Sequence, residues 1–190
     1  MKKLSILLVA AVVAFSSFKA IETWKQDKAH SRLAFSVTHL GISEQTGFIK
    51  DFDVTIKAEK ADFSDAVVEL KGDIATINTG VDMRDNHLKS PDFFDAAKFP
   101  TVTFISTGIT SAGANKYKLT GNLTLHGVTK PVTMDLLYKG TTTNPMSKAA
   151  TSGFQVTGVI KRTDFGVGTN FPTAVVSDEV AIKADGEFSK

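Results

Sequence analysis

The sequence predicts an all-β protein, an antiparallel barrel of about eight strands with a short helical insertion that caps one end. From His30 onward, most segments alternate apolar and polar residues with period two, as strands with one buried face do. Valine, threonine, glycine and phenylalanine are plentiful, and this composition favours strands over helices. The stretch Thr79–Pro100 interrupts the alternation with clustered charges, which marks it as the insertion.

Closure into a barrel is predicted from the number and length of the strands. Strands with one apolar face hide that face either by closing into a barrel or by stacking as a sandwich. Several predicted strands run to about ten residues, roughly 33 Å at 3.3 Å per residue, which suits a barrel better than a sandwich. A barrel of about eight strands either fills with its own side chains or holds one small ligand.

The N-terminus is predicted to be a signal peptide, Met1–Ala20, followed by a single domain over residues 21–190. A basic start, Lys2-Lys3, precedes an apolar run that is too short to span a bilayer comfortably. A small-x-small pattern favours cleavage after Ser16, and a cut after Ala20 fits it less well. We therefore expect a periplasmic or otherwise exported protein, and no later segment has the length and apolarity of a transmembrane helix.

Charge and cysteine content narrow the range of partners. Cleavage after Ser16 removes Lys2 and Lys3 and leaves 20 of the 22 basic residues against 20 acidic ones, so the mature chain is nearly neutral. This balance does not resemble the basic surface of a nucleic-acid-binding protein, so we expect no nucleic-acid partner. Because no later segment suits a transmembrane helix, we also expect no stable membrane insertion. The chain has no cysteine, so no disulfide or cysteine-linked lipid anchor is expected. The oligomeric state is not specified by the sequence.

The strands are predicted one after another from their alternating rows. A lead-in, Ile21–Lys28, carries Trp24 and forms either an edge strand or a plug at one barrel end. The strands that follow are His30–Leu40, Thr46–Ala58, Ala66–Ile77, Thr101–Ser106, Lys116–Leu125, Val128–Lys139, Gly153–Arg162 and Asp178–Phe188. Gly41 ends the first of these, Gly72 indicates a bend, and His126-Gly127 is a tight turn. The remaining connections are Asp62–Asp65, Thr107–Asn115 and Gly140–Ser152.

Each predicted strand has an apolar row that supplies candidate walls for an interior. In the second strand, for example, Phe48, Phe52 and Val54 share a face opposite Asp51 and Asp53. The candidate ligand-binding wall residues are Phe35, Val37, Phe48, Phe52, Val54, Leu70, Val132, Met134, Leu136, Val156, Ile160 and Ile182; each is also an ordinary core residue. Small residues on the same rows either leave interior space or provide bends: Ala66, Gly72, Gly121, Gly158, Ala184 and Gly186.

The insertion Thr79–Pro100 is predicted to contain a helix. Ser90 suits an N-cap and Pro91 suits the first helical position, so a helix is expected to start there. Asp82–Lys89 is compatible with one or two further turns before it. The insertion either covers one end of the barrel or is a structural crossover without a ligand role.

The sequence carries no motif that predicts catalysis. It has no Gly-x-Ser-x-Gly elbow and no phosphate-binding loop, and Gly166-Val167-Gly168 is too short for a dinucleotide fingerprint. The histidines stand at no metal-ligand spacing, and no cysteine is present to join them, so no metal or cofactor is expected. We therefore interpret the protein as a non-enzyme.

Several short stretches, in this order, carry a family resemblance. They are Asp27-x-x-His30-Ser31, Phe35-x-Val37-x-His39-Leu40-Gly41, Gly47-Phe48, Arg84-Asp85-x-His87-Leu88, Asp92-Phe93-Phe94-Asp95, Phe99-Pro100, Gly121-x-Leu123-Thr124-Leu125-His126-Gly127-Val128-Thr129 and Asp164-Phe165-Gly166. The set resembles the YceI-like family, described as periplasmic polyisoprenoid-binding proteins, over essentially the whole mature chain. The resemblance implies an exported, lipocalin-like antiparallel barrel that holds an isoprenoid lipid, such as a polyprenyl or quinone tail.

These observations predict an exported lipid-binding protein that carries or stores a polyisoprenoid in its barrel. The alternative is an exported structural or stress-related module whose filled barrel acts through its surface; an enzyme acting on an isoprenoid is a distant third. Arg84, His87 and Lys89 either contact a polar or phosphate head group at the mouth, or pair locally with acidic side chains of the insertion.

Overall fold

A computed structural model describes residues 20–190; the predicted signal peptide, apart from Ala20, lies outside the described residues. Its strands are β1 (Glu22–His39), β2 (Ser43–Ile49), β3 (Phe52–Ala58), β4 (Val67–Asp73), β5 (Ile77–Asn78), β6 (Thr101–Gly113), β7 (Lys116–Leu125), β8 (Val128–Thr143), β9 (Ala150–Lys161) and β10 (Glu179–Ser189). One α-helix, α1 (Asp82–Lys89), and two 3₁₀ turns, Ile74–Thr76 and Arg162–Phe165, complete the described elements.

The strands form a closed antiparallel barrel of eight. The ring runs β1-β3-β4-β6-β7-β8-β9-β10 and closes because β10 pairs antiparallel with β1. β2 and β3 form one bent strand, and both parts pair with β1. β4 and β5 form the next bent strand, in which β4 pairs with β3 and β5 pairs with β2. The predicted fold class is confirmed, and the closing pair excludes the sandwich.

The second predicted strand is broken where the chain bends at Lys50-Asp51, and both of these residues are exposed. Two consecutive exposed residues shift the alternation by one step. Ile49 is therefore buried before the bend and Phe52 after it. The prediction that Phe48 shares a face with Phe52 is wrong. Phe48 is half-buried on the opposite face, where the Arg32 guanidinium lies 5.0 Å from its ring centroid.

Three further strand boundaries differ from the prediction. The lead-in is not separate, because β1 runs unbroken from Glu22 with Trp24 buried. The predicted loop Thr107–Asn115 is mostly the end of β6, and Gly140–Ser152 shortens to a connection over residues 144–149. The distal ends of β6 and β8 are largely exposed, so the alternation that signals a strand is missing there.

The helical turns considered over Asp82–Lys89 are present as α1, whereas no helix starts at Ser90 as predicted. α1 ends at Lys89, and Ser90 is its C-cap rather than an N-cap: the Ser90 N–H and hydroxyl both donate to the His87 carbonyl, at 3.1 and 2.8 Å. Pro91 follows the helix end, where no further N–H is needed to continue it. Within residues 20–190, no helix is long and apolar enough to cross a bilayer.

Candidate functional site: an apolar chamber with a polar mouth

The barrel encloses a chamber of about 230 Å³ that is lined by side chains from all eight ring strands. A single water takes roughly 10–15 Å³ of such space, so the chamber is far larger than a packing defect. Among its lining residues, only Ser31, Arg162 and Asp185 carry polar side chains. An enclosed space of this kind suits an apolar ligand.

The chamber brings together most of the predicted wall residues. Ten of them line it: Phe35, Val37, Phe52, Val54, Leu70, Met134, Leu136, Val156, Ile160 and Ile182. Phe48 does not, because the bend after Ile49 turns it to the other face. Val132 does not either; it is half-buried and packs against the core nearer the β7–β8 turn.

Several lining residues were missed by the sequence analysis. Phe104, Leu119 and Leu123 lie on alternating rows of β6 and β7, so the period-two signal was sufficient to find them. Leu88 and Arg162 also line the chamber but stand outside any such row. No local pattern marks them, because tertiary packing alone brings them to the barrel end.

The space beside the interior glycines is occupied by large neighbouring side chains and does not add to the chamber. A Cβ on Gly121 would lie 2.4 Å from the Phe104 ring, and one on Gly158 would lie 2.0 Å from Met134 Sδ. The ring and the thioether therefore occupy the room that each missing side chain provides. The chamber is the space that remains between these larger groups.

One end of the barrel is closed by aromatic rings, which we call the aromatic floor: Trp24, Phe63, Tyr138 and Phe154. Phe63 is 1% exposed and lies at its centre. Its ring centroid is 5.2 Å from Trp24, 5.1 Å from Tyr138 and 4.8 Å from Phe154, in tilted or edge-to-face contacts. These contacts exclude water without requiring a hydrogen bond.

The other end is closed by α1 and by the segment that follows the 3₁₀ turn Arg162–Phe165. Arg162 is 4% exposed, and all five of its N–H groups donate to backbone carbonyls. The acceptors are Ser177, Val167, Gly168, Phe171 and Val176. We call this segment, residues 167–177, the arginine-held loop. Leu88, Phe93 and Phe94 of the insertion line the chamber at this end, so the insertion covers it.

A second cavity of about 280 Å³ adjoins the chamber between β1, β2 and α1. Phe35, Val37 and Leu88 line both spaces, so the two cavities lie on either side of these three side chains. The other lining residues are polar or charged, and we call them the polar mouth: His39, Gln45, Thr79 and Arg84. An amphiphile with its tail in the chamber would place its polar end here.

Arg84 is held at the mouth by neutral partners. Its Nε donates to Thr79 Oγ1 at 2.7 Å, and its two terminal nitrogens donate to Gln45 Oε1 and the Thr79 carbonyl, both at 2.9 Å. The Asp85 carboxylate fixes Thr79 by accepting from its N–H and hydroxyl, at 2.8 and 2.6 Å. Within residues 20–190 the guanidinium forms no ion pair, and two of its five N–H groups remain for a ligand.

His87 and Lys89 do not line the mouth or the chamber. His87 Nε2 lies 3.2 Å from Asp92 Oδ2, and its ring stands edge-on to Phe93 and Phe171. The local pairing considered from the sequence therefore describes His87 but not Arg84.

The fold and the site define a class of protein: closed antiparallel β-barrels of eight strands that enclose an apolar chamber. The model of the YceI-like domain matches residues 24–188. The chain belongs to the YceI-like family, as the sequence motifs predicted.

Two relatives align over most of this chain. A UPF0312 protein of Staphylococcus aureus strain MSSA476 is 34% identical over 167 residues, which cover 86% of this chain and 95% of that protein. The crystal structure of Burkholderia cenocepacia BcnA is 30% identical with a TM-score of 0.78, and the match covers 85% of this chain and 98% of BcnA.

A more distant solved structure shares the fold. It is a polyisoprenoid binding domain from Saccharophagus degradans, implicated in plant cell wall breakdown. The match has a TM-score of 0.64 and covers 90% of this chain and 99% of that domain. At 16% identity this likeness shows the fold alone.

Proposed function

We propose that the protein is an exported, non-catalytic lipid-binding protein that holds an isoprenoid chain in its chamber for carriage or storage. The observation that carries the proposal is the closed chamber, whose wall is apolar except for three residues. A polyprenyl or quinone tail is insoluble in water, and such a wall shields it. Burying one CH₂ group contributes roughly 0.8 kcal/mol, so about twenty give on the order of 16 kcal/mol before ordering and association costs offset much of it.

An isoprenoid is preferred as the ligand on two grounds. The family motifs of the sequence resemble those of polyisoprenoid-binding proteins, and the Saccharophagus degradans domain of that description has the same fold. A filled barrel that acts only through its surface accords poorly with an unfilled chamber of about 230 Å³.

Mass spectrometry of an organic-solvent extract of the purified protein tests the proposal. We expect a prenyl lipid to co-purify with the wild type and to be largely lost from Val156→Trp, which fills the chamber. The matched control is Val159→Trp on the same strand, where the side chain is 58% exposed on the outer wall. Repeated extraction of no lipid, or equal amounts from both variants, would favour the surface-acting module.

We also propose that Arg84 binds the polar end of the ligand. Because a hydrogen bond to a charged group is worth about 1.5–3 kcal/mol, Arg84→Ala should weaken binding of a prenyl diphosphate roughly tenfold or more. Binding of the corresponding prenyl alcohol should change much less. Lys89→Ala is the control, since Lys89 lines neither cavity. Equal loss for both lipids would reject the head-group role.

Export is proposed from the leader alone. N-terminal sequencing of protein from the periplasmic fraction should give a start after Ser16 or after Ala20. A chain that keeps Met1 and remains in the cytoplasm would contradict it.

A further inference from the structure

Three side chains with metal-ligand chemistry converge on the outer wall of the barrel, away from the chamber and its mouth. A ring nitrogen of His30 and a carboxylate oxygen from each of Asp27 and Glu187 lie within 4.8 Å of one another. His30 and Glu187 are exposed and Asp27 is half-buried. The sequence predicted no metal site, because Glu187 lies on the last strand and is far from the other two along the chain.

The strand pairing brings two negative charges face to face. Asp27 of β1 is the direct partner of Glu187 on β10, so their side chains emerge side by side on one face. Like charges directly opposite each other destabilise a sheet, so this position favours a positively charged partner for the two carboxylates. Here the only other member of the cluster is an imidazole.

A bulge in β1 places that imidazole. The pairing of β1 with β10 lapses between Asp27 and Arg32, and His30 lies within this interruption. Asp27 Oδ1 accepts the backbone N–H groups of Ala29 and His30, at 2.9 and 3.3 Å. These bonds orient the other oxygen, Oδ2, toward His30 Nδ1 at 2.9 Å.

We propose that Asp27, His30 and Glu187 bind a divalent transition-metal ion, with Zn²⁺ as the representative. One imidazole and two carboxylates form a donor set that suits Zn²⁺ and its neighbours, whereas Mg²⁺ prefers oxygen ligands alone. Oδ2 and Nδ1 are 2.9 Å apart, a hydrogen-bond distance, and two ligands of a tetrahedral ion lie roughly 3.4 Å apart, so metal binding replaces this hydrogen bond with a small outward shift of the two side chains. The flexible Glu187 side chain closes the third side, and water completes the coordination.

The chain offers a matched control on its own surface. His87 and Asp92 form a second exposed histidine–aspartate pair, with Nε2 and Oδ2 3.2 Å apart. This pair is not part of any group of three ligand-type side chains within residues 20–190. Comparison of the two pairs isolates the contribution of the third ligand.

Calorimetric titration of the mature chain, free of any affinity tag, with Zn²⁺ tests the proposal. We expect saturation at one ion per chain, no comparable binding of Mg²⁺, and a loss of affinity of about tenfold or more in either His30→Asn or Glu187→Gln. His87→Asn should leave the Zn²⁺ affinity unchanged. Circular dichroism of each variant establishes that it is folded.

A second readout locates the ion directly. Paramagnetic Co²⁺ should broaden the ring NMR signals of His30 at concentrations that leave those of His87 sharp. The proposal is overturned if Zn²⁺ binding does not saturate, if His30→Asn and His87→Asn reduce it equally, or if Co²⁺ broadens both rings alike.

Discussion

The two ends of the barrel are closed by different chemistry. At the aromatic floor, Phe63 packs against three rings and needs no polar partner. At the opposite end, Arg162 holds a loop through five hydrogen bonds to backbone carbonyls, and the polar mouth lies beside it.

This difference indicates which end admits a ligand. A plug of interlocked rings opens only at the cost of exposing apolar surface, whereas a hydrogen-bonded cover can exchange protein partners for water or a head group. The arginine-held loop is also bound to the hairpin of β1 and β2, because the Leu40 N–H donates to the Val175 carbonyl at 2.9 Å. We therefore expect the floor to be permanent and the mouth end to be the route of entry.

Loss of Arg162 should produce the largest effect on stability. Arg162→Leu removes five hydrogen bonds to carbonyls, so we expect the free energy of unfolding to fall by about 4–5 kcal/mol in urea titration. Arg162→Lys should recover only part of this, because an ammonium group has fewer donors and lacks the planar fork. If Arg162→Leu and Arg162→Lys both have the same free energy of unfolding as the wild type, these hydrogen bonds do not hold the loop.

Loss of the floor ring should be nearly as costly. Phe63→Ala is expected to lower the free energy of unfolding by about 3–4 kcal/mol, since a buried ring leaves a cavity among its neighbours. Met146→Ala is the control: Met146 is 91% exposed, so its change should stay within about 0.5 kcal/mol. A loss of less than about 1 kcal/mol for Phe63→Ala would show that the floor is not a packed plug.

The wall between the ends should show a smaller effect. Gly158→Ala drives a Cβ against Met134 Sδ, and because that side chain is flexible we expect a cost of about 1 kcal/mol, at the low end for overpacking. Met134 must then move into the chamber, so lipid recovered by extraction should fall as well. Gly153→Ala is the matched control on β9, since the nearest atom there is an ordinary 3.4 Å away. Equal stability and equal lipid content in the two variants would contradict this packing.

Acid should slightly destabilise the mouth end of the barrel, because Asp178 becomes protonated there. The hydroxyl of Thr163 donates to Asp178 Oδ1 at 2.7 Å, and this bond holds the carboxyl pKa below its usual range. A depressed pKa means that the stabilisation is present above the unfolded-state pKa and is lost as pH falls through the folded-state value. Hydrogen exchange at the Thr163 amide, corrected for its intrinsic rate, should therefore accelerate in acid. Asp178→Asn should abolish this pH dependence, and a variant that keeps it would place the titrating group elsewhere.

The barrel could be predicted from the sequence because the alternation of apolar and polar residues is a local pattern. Period-two rows place residues such as Leu70, Leu136 and Val156 on the interior face without knowledge of the pairing. The same reasoning failed at Phe48: Lys50 interrupts the apolar row there, but one charged residue does not by itself specify that the chain bends and shifts the alternation at Lys50-Asp51.

Features that depend on long-range packing were not accessible from the sequence. Arg162 ends a strand as many surface arginines do, and only the folded loop supplies its five acceptors. The polar mouth joins β1, β2 and α1, so its residues are scattered along the chain. A helix start was wrongly predicted at Ser90-Pro91, because this pair satisfies the rules for a helix start while Ser90 in fact caps the end of the helix over Asp82–Lys89.

The most direct test of the central claim is a crystal structure of the protein after incubation with a prenyl alcohol. We predict continuous density for the tail inside the barrel, from beside Phe154 at the floor toward Arg84 at the mouth. A barrel interior without ligand density, with the lipid on the outer surface or absent at saturating concentration, would contradict the account.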